Sequence, residues 1–207
     1  TPLLKVIAEY GIMHPTMNKT FEQGNDEIVR LCRYFEANQQ QFLAPGVKEA
    51  HVRQSLIDPL FEALGWDVRN AAMDAPQYRE VIPEDSLDVE GHQKAPDYTF
   101  RVGTLAKFFV EAKKCGININ ANPAAAFQLR RYGWSAKVPL SILTDFEEFG
   151  VYDCTSRPRP GDKASHGRIQ YYRAEEYPDR WRDLWDLFSR EAVRSGKYAH
   201  FSLSKRK

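Results

Sequence analysis

The sequence predicts an α/β domain with a mixed β-sheet, and three observations support this. The chain has 207 residues, of which 43% are hydrophobic, so it can bury one sizeable core. Segments of helical and strand periodicity follow in the order α-α-β-β-β-α-β-β, and a loop and a last helix complete the chain. Glycine and proline residues separate many of these segments. Alternation of this kind is typical of a sheet flanked by helices.

Two helices are predicted ahead of the strands. The first runs from about Asn25 to Phe42, with Asn25 or Asp26 as its N-cap, because apolar residues recur there at helical spacing. The second runs from about Val47 to Leu64 and carries a longer apolar stripe. Each helix therefore has an apolar face that needs a packing partner.

Proline and glycine mark the limits of the helices. Pro59 predicts a kink inside the second helix, and Gly65 is expected to end it. A third, short helix is predicted with Asn122 as its N-cap and Pro123 at its first position. Gly133 is expected to cap its C-terminus.

The other segments are predicted from β-type runs and turn residues. A strand is expected around Tyr78 to Ile82, followed by a polar turn region from Glu84 to Lys94. Residues 96–115 are predicted to form two strands joined by a glycine turn. The further predicted elements are strands in "VPLSILTD", "EFGVYDC" and "IQYY", a loop over residues 155–168, and an amphipathic helix that contains Trp181, Leu184, Trp185 and Phe188.

Charge and cysteine content exclude several classes of protein. Lys and Arg total 29 and Asp and Glu total 28, so with a net charge of +1 any basic surface must be local. The cysteines, Cys32, Cys115 and Cys154, are odd in number and far apart, which argues against a disulfide framework and a structural zinc site. The sequence has no signal-peptide layout and no apolar run of membrane-spanning length. We therefore expect a cytoplasmic location.

Three segments are predicted along the chain. Residues 1–24 are expected to be a leader or an artificial extension, because the chain opens with Thr1 whereas Met17 begins a more typical start. Residues 25–155 are predicted to be the core, and residues 156–207 a loop followed by a helical extension.

The hairpin in "PDYTFRVGTLAKFFVEAKKC" carries the residues with the most specific chemistry. Glu111 and Lys113 lie on one face of the second strand, because the side-chain period of a strand is two. With a turn near Gly103 to Ala106, antiparallel pairing brings Asp97 roughly opposite residue 111 or 112, and so beside Glu111. Two carboxylates beside an ammonium group are typical of a Mg²⁺ site, in which waters and a substrate phosphate supply the other ligands.

The same residues could instead have no role in binding a metal ion. Asp97 could be a turn residue, and Glu111, Lys113 and Lys114 could be solvated charges at the end of a surface hairpin. The spacing alone favours that reading. The flanking residues favour the site, because Glu111 lies inside the apolar run "FFVEAKK", where a carboxylate needs a partner.

The helices contribute further candidates. At about 100° per residue, Glu49 falls on the apolar stripe of the second helix rather than on its solvated side. Gln128 and Tyr132 are four residues apart and share a face of the third helix, where Arg130 and Arg131 flank them. Glu49 alone could be a helix-dipole residue, and Gln128 with Tyr132 an ordinary side-chain pair.

Taken in order, these segments resemble a known family. The segments "KEAHVRQSLIDPLFEALGWDV", "APDYTF", "FFVEAKK", "FQLRRYGW" and "SILTDFEEFGVYDC" are similar to the N-terminal nuclease domain of restriction-modification enzymes of the PD-(D/E)xK superfamily. The resemblance is greatest to type IIG restriction-methyltransferase enzymes, and the type I restriction motor subunit is second. It covers about residues 25–200 and implies a restriction-endonuclease-like sheet flanked by helices.

The resemblance also implies roles for individual residues. Asp97 and Glu111 would be metal ligands, Lys113 the catalytic lysine, and Glu49 the helix carboxylate that completes the metal site. Gln128 and Tyr132 match the Gln-x-x-x-Tyr motif, which supports the site or holds DNA backbone. Together these residues would hydrolyse DNA phosphodiester bonds with Mg²⁺, for which Mn²⁺ is expected to substitute.

The expected partner of such a site is double-stranded DNA. Phosphate contacts are predicted from Arg130, Arg131, Lys114 and Lys137, with a loop set of weaker candidates that could equally be a solvated charge run, namely Arg157, Arg159 and Lys163. Burial is expected to depress the pKa of Lys113.

The sequence contains no helicase P-loop, no methyltransferase Asn-Pro-Pro-aromatic motif and no room for a target-recognition domain. Methyltransferase, motor or target-recognition domains are therefore expected elsewhere in a longer protein or as separate subunits, and dimerisation is one route to cutting both strands. The alternative is a catalytically silent DNA-binding or docking module of the same fold.

Overall fold

A six-stranded mixed sheet forms the centre of the computed structural model, which describes residues 19–89 and 92–196. The strands are β1 (Val81–Pro83), β2 (Leu87–Val89), β3 (His92–Lys94), β4 (Tyr98–Val102), β5 (Leu105–Ala112), β6 (Leu140–Thr144), β7 (Glu148–Asp153) and β8 (Arg168–Arg173). The sheet has the order β1-β4-β5-β6-β7-β8, and β2 pairs only with β3. The β5–β6 pairing is parallel and the others are antiparallel. The predicted mixed sheet is therefore confirmed.

Helices cover both faces of this sheet. They are α1 (Phe21–Phe42), α2 (Glu49–Val52), α3 (Asp58–Ala63), α4 (Pro123–Ser135), α5 (Tyr177–Phe188) and α6 (Arg190–Arg194), and a π-helical turn over Arg53–Ile57 joins α2 to α3. The residues of β5 alternate between two cores, with Phe108 in a large core that includes α1, α3 and α5, and Phe109 in a smaller core that includes α4. The helix α4 thus has one face of the sheet largely to itself.

The first helix begins earlier than predicted. The side-chain oxygen of Thr20 accepts a hydrogen bond from the backbone N–H of Gln23 at 3.2 Å, and the Gln23 side chain accepts one from the backbone N–H of Thr20 at 3.0 Å. This capping box satisfies the first backbone donors, so the predicted N-cap at Asn25 or Asp26 is wrong. The helix includes both residue 24 and residue 25, where the boundary between the leader segment and the core is predicted. That domain boundary stays a prediction.

The second helix is interrupted where its proline predicted an irregularity. Pro59 has no N–H to donate to the carbonyl of Ser55, and that carbonyl lies in the π-helical turn over Arg53–Ile57. Gly65 has φ +90°, a left-handed conformation that follows the helix end as predicted.

The short helix α4 starts as predicted and ends differently. The Asn122 side chain accepts a hydrogen bond from the backbone N–H of Ala125 at 3.0 Å, which confirms the N-cap. The helix continues through Gly133 to Ser135, and Lys137 takes the left-handed conformation at φ +58°. Gly133 is therefore not a C-cap. A Cβ atom there would lie 2.4 Å from the Cβ of Cys154, so the glycine lets α4 pack closely against the end of β7.

The strands agree with the sequence except in one region. The predicted polar turn from Glu84 to Lys94 contains the small β2–β3 hairpin, and the strand expected around Tyr78 begins only at Val81. The predicted hairpin is present as β4 and β5, with Tyr98 opposite Val110. Continued by one residue beyond β4, that register places Asp97 beside Glu111.

The C-terminal elements belong to the same structure as the core. Tyr172 in β8 and Trp181 in α5 are buried in the large core. The predicted division at residue 155 stays a prediction, and residues 197–207 lie outside the described part. Among the described helices, none has the length and apolar character that crossing a lipid bilayer requires.

Gly133→Ala is expected to destabilise the domain by about 1–3 kcal/mol, since the added methyl group has to push α4 away from Cys154. Urea unfolding measures the effect. Gly46→Ala is the matched control, because a Cβ atom at Gly46 meets nothing within 4 Å. Equal stability of the two variants would contradict the proposed close packing.

Candidate active site

Glu111 lies at the centre of the site, near the end of β5, with its side chain only 5% exposed. Its Oε1 accepts hydrogen bonds from Lys113 Nζ at 2.8 Å and from Gln128 Nε2 at 2.9 Å. Its Oε2 is buried and has no hydrogen-bond partner. A buried carboxylate oxygen without a partner is costly, so this oxygen is suited to binding a cation.

The environment of Glu111 changes its ionisation. Burial raises the pKa of Glu111 from 4.5 to about 7, and the nearby charges of Asp97 and Glu49 act in the same direction. Lys113 opposes this change through its charge and its hydrogen bond. A divalent cation would favour the ionised form in the same way as Lys113 does.

Asp97 lies directly before β4 and reaches across the hairpin. Its Oδ2 accepts a hydrogen bond from the backbone N–H of Ala112 at 2.7 Å, and its Oδ1 lies 3.4 Å from Arg53 Nη1. The contact with Ala112, next to Glu111, confirms that Asp97 lies beside the end of β5 as the pairing predicted. The two carboxylates thus approach the same end of the hairpin from adjacent strands.

Lys113 pairs with Glu111 as the strand period predicts, but its pKa is shifted in the unexpected direction. Burial lowers the pKa of Lys113, while the charges of Glu111, Glu49 and Asp97 raise it more, and the net shift is upward. The expectation of a depressed pKa is therefore wrong, because three carboxylates outweigh the loss of solvent. Lys113 is a charged ammonium group in this site.

Glu49, the first residue of α2, is half-buried and belongs to the same charged group. Burial raises the pKa of Glu49, Lys113 lowers it and Asp97 raises it, so Glu49 lies within electrostatic reach of both. Among the described residues, however, no three Asp, Glu, His or Cys side chains are grouped closely enough to hold a metal ion. The predicted set of Asp97, Glu111 and Glu49 is thus not assembled as three ligands.

The helix α4 supports Glu111 from one side. Gln128 Nε2 donates hydrogen bonds to Glu111 Oε1 and to Tyr132 Oη, both at 2.9 Å. Tyr132 is buried, and both its burial and the charge of Glu111 raise its pKa. Gln128 therefore links the predicted tyrosine to the predicted carboxylate, which fits the supporting role of the Gln-x-x-x-Tyr pattern.

Three residues that the sequence analysis missed support Asp97 from the other side. Arg53 contacts Asp97 and lies over the ring of Tyr98, with 4.7 Å from its Cζ to the ring centroid. The Tyr98 hydroxyl donates to Asp58 Oδ1 at 2.6 Å. The one sequence signal was that Arg53 is four residues after Glu49 and shares its helix face.

Four residues are predicted to contact DNA phosphates; the prediction for one of them is wrong, and the other three stay predictions. Arg130 is 2% exposed and pairs with Asp162 at 2.7 Å, so its predicted phosphate contact is wrong: the guanidinium is buried between α4 and the loop that joins β7 to β8. Lys114 is exposed directly after the site. Arg131 lies on α4, and Lys137 lies after its end at Ser135.

Comparison with known proteins gives one informative match. The chain is 35% identical over 175 residues to a type II restriction enzyme and methyltransferase, RM.Eco57I of Escherichia coli. The chain is related to a restriction-modification enzyme. The similarity covers 84% of this chain and 18% of that protein, so the chain spans less than a fifth of the relative's length. No protein-family model and no solved structure matches the chain.

The pKa of Glu111 predicts a pH-dependent stability in metal-free buffer. At pH values between the unfolded-state pKa of 4.5 and the folded-state pKa of about 7, folding takes up a proton at Glu111. The stability that the protonated carboxyl group contributes is therefore lost as pH rises. The unfolding free energy of Glu111→Gln minus that of the parent is expected to rise by up to ~3 kcal/mol from about pH 5 to about pH 8.

Denaturant unfolding in EDTA at the two pH values measures this gain. Glu36→Gln is the control, because Glu36 is an exposed carboxylate on α1. A gain for Glu111→Gln that does not depend on pH would contradict the ionisation assigned to Glu111.

Proposed function

We propose that this chain is a metal-dependent endodeoxyribonuclease domain of a restriction enzyme, with the restriction-endonuclease-like fold of the PD-(D/E)xK superfamily. The observation that carries the proposal is the arrangement around Glu111, where Lys113 and Gln128 occupy one carboxylate oxygen and the other is buried and unpaired. The similarity to a restriction enzyme and methyltransferase supports the same reading.

Mg²⁺ fits the residues of this site, and Mn²⁺ is proposed to substitute. Glu111 Oε2 and the carboxylate of Asp97 would hold the ion, with waters and a DNA phosphate as its other ligands. Glu49 would add negative charge beside the ion, since its carboxylate lies within electrostatic reach of Asp97 and Lys113. When bound, the ion lowers the pKa of the attacking water and offsets negative charge on the phosphate.

The chain's own residues orient the reaction. Lys113 would donate a hydrogen bond to the scissile phosphate or to the attacking water, since its ammonium group is charged and fixed beside Glu111. Gln128 keeps the Glu111 carboxylate in place through Oε1, which leaves Oε2 for the ion. Arg53 holds Asp97 from the opposite side, which makes it a positioning residue.

The full protein is proposed to contain further domains, as the relative's name includes a methyltransferase. A full-length protein of the type IIG restriction-methyltransferase class agrees with that name better than a type I restriction motor subunit does. Double-stranded DNA is the proposed substrate. The target-recognition domain that selects the DNA sequence would lie outside this chain. Dimerisation is the proposed route to a double-strand break.

Lys113→Ala is expected to lower plasmid cleavage by orders of magnitude while metal still binds, because the carboxylates remain and a transition-state contact is lost. Asp97→Ala is expected to lose both metal binding and cleavage. Calorimetry with Mg²⁺ or Mn²⁺ and a plasmid nicking assay, in the full-length enzyme, measure the two properties separately.

Lys107→Ala is the matched control, since Lys107 lies on the same strand away from the site. Parent-rate cleavage by Lys113→Ala would overturn the assigned mechanism. Metal and DNA binding without cleavage in the parent enzyme would instead favour the catalytically silent module.

A further inference from the structure

A groove runs between the outer surface of α4 and the loop over residues 157–165. One part has a volume of about 610 Å³ and lies against Arg131, Trp134, Arg157 and Arg159. A second part, of about 720 Å³, continues along the start of α4. Phe127 and Pro160 line both parts, so the two form one groove.

The lining of this groove combines positive charge with aromatic surface. Phe127, Arg131 and Trp134 follow one another at helical spacing, and the Arg131 guanidinium lies 5.7 Å from the centre of the Phe127 ring. Trp134 is 41% exposed, an unusual position for a tryptophan. Among the described residues that line the 610 Å³ part, none is acidic.

The loop that forms the opposite wall is held in place. Asp162 accepts hydrogen bonds from buried Arg130 at 2.7 Å and from the backbone N–H of Arg159 at 2.9 Å. The hydroxyl of buried Tyr152 donates to the carbonyl of Ala164 at 3.0 Å. The groove is therefore formed before a ligand binds, and Arg159 is positioned by the same aspartate that anchors the loop.

The chemistry of the groove identifies its ligand. Cations that contact a phosphate backbone, together with aromatic rings on which bases stack, are the features of a binding site for single-stranded nucleic acid. A volume of this size admits individual nucleotides and is far smaller than a duplex. The groove and the candidate active site share the helix α4, where the groove residues Phe127 and Arg131 directly precede the site residues Gln128 and Tyr132.

We propose that this groove binds an unpaired strand of DNA beside the cleavage site, with phosphates on Arg131, Arg157 and Arg159 and a base on Trp134. This inference rests on the proposed nuclease function, because it assigns the path of one DNA strand next to that site. The groove would hold a strand that leaves the duplex near the cut.

Tryptophan fluorescence provides a direct test that requires no cleavage. The other tryptophans, Trp66, Trp181 and Trp185, are buried, so Trp134 is the one that solvent and ligand reach. An oligothymidylate of about 12 nucleotides, added to the chain in EDTA, is expected to quench this fluorescence. Trp134→Phe is expected to abolish the quenching.

Fluorescence anisotropy with the labelled oligonucleotide measures affinity. Trp134→Ala is expected to weaken binding about tenfold. The double variant Arg157→Ala, Arg159→Ala is expected to weaken it similarly and to reduce the salt dependence of log K by about 1.4, since each phosphate contact to a single strand contributes about 0.7. A duplex of the same length is expected to quench Trp134 less, because its bases are paired and cannot stack on the indole ring.

The matched control is Arg30→Ala, Arg33→Ala, which removes two exposed arginines from α1 on the other face of the sheet. Unchanged quenching in Trp134→Phe, equal losses in the two double variants, or stronger quenching of Trp134 by the duplex would overturn the proposal. Plasmid nicking by the parent enzyme in Mg²⁺ is scored separately. If the enzyme nicks plasmid but the oligonucleotide does not bind, the groove proposal is contradicted and the nuclease function is not. If the oligonucleotide binds but plasmid is not nicked, the nuclease function is contradicted and the groove proposal is not.

Discussion

The burial of the Glu111 carboxylate between β5 and α4 is the constraint on which the site depends. A carboxylate removed from water needs hydrogen bonds and an opposite charge, which Lys113 and Gln128 supply at one of its two oxygens. Gln128 can reach it only because α4 lies close to the sheet. Gly133 permits that approach, since a side chain there would collide with Cys154.

The other half of the site depends on a local irregularity of a helix. The π-helical turn begins at Arg53, and this arginine contacts Asp97 while Tyr98 and Asp58 complete the network. π-Helical turns inside helices are often found at functional sites. The hairpin therefore receives support from both faces of the sheet, from α4 at Glu111 and from the π turn at Asp97.

The arginines of this domain show how one residue type takes different roles through burial. Arg130 and Arg131 are neighbours on α4, yet Arg130 is enclosed with Asp162 and Arg131 lines the groove. The pair fixes the loop, and removing Asp162 would leave the buried charge of Arg130 without compensation. The same loop presents Arg157 and Arg159 to solvent, so a structural ion pair determines where the basic surface lies.

Much of this arrangement follows from local rules in the sequence. Strand periodicity placed Glu111 and Lys113 on one face, antiparallel pairing brought Asp97 to them, and helical spacing joined Gln128 to Tyr132, because each depends on regular backbone geometry. The role of Gly133, the burial of Arg130 and the contact of Arg53 with Asp97 were decided only by tertiary structure. Each depends on which elements pack together, and the loop that covers Arg130 is more than thirty residues away from it in the chain. The upward pKa shift of Lys113 has the same origin, since it sums charges from α2, the start of β4 and β5 that meet only in the folded protein.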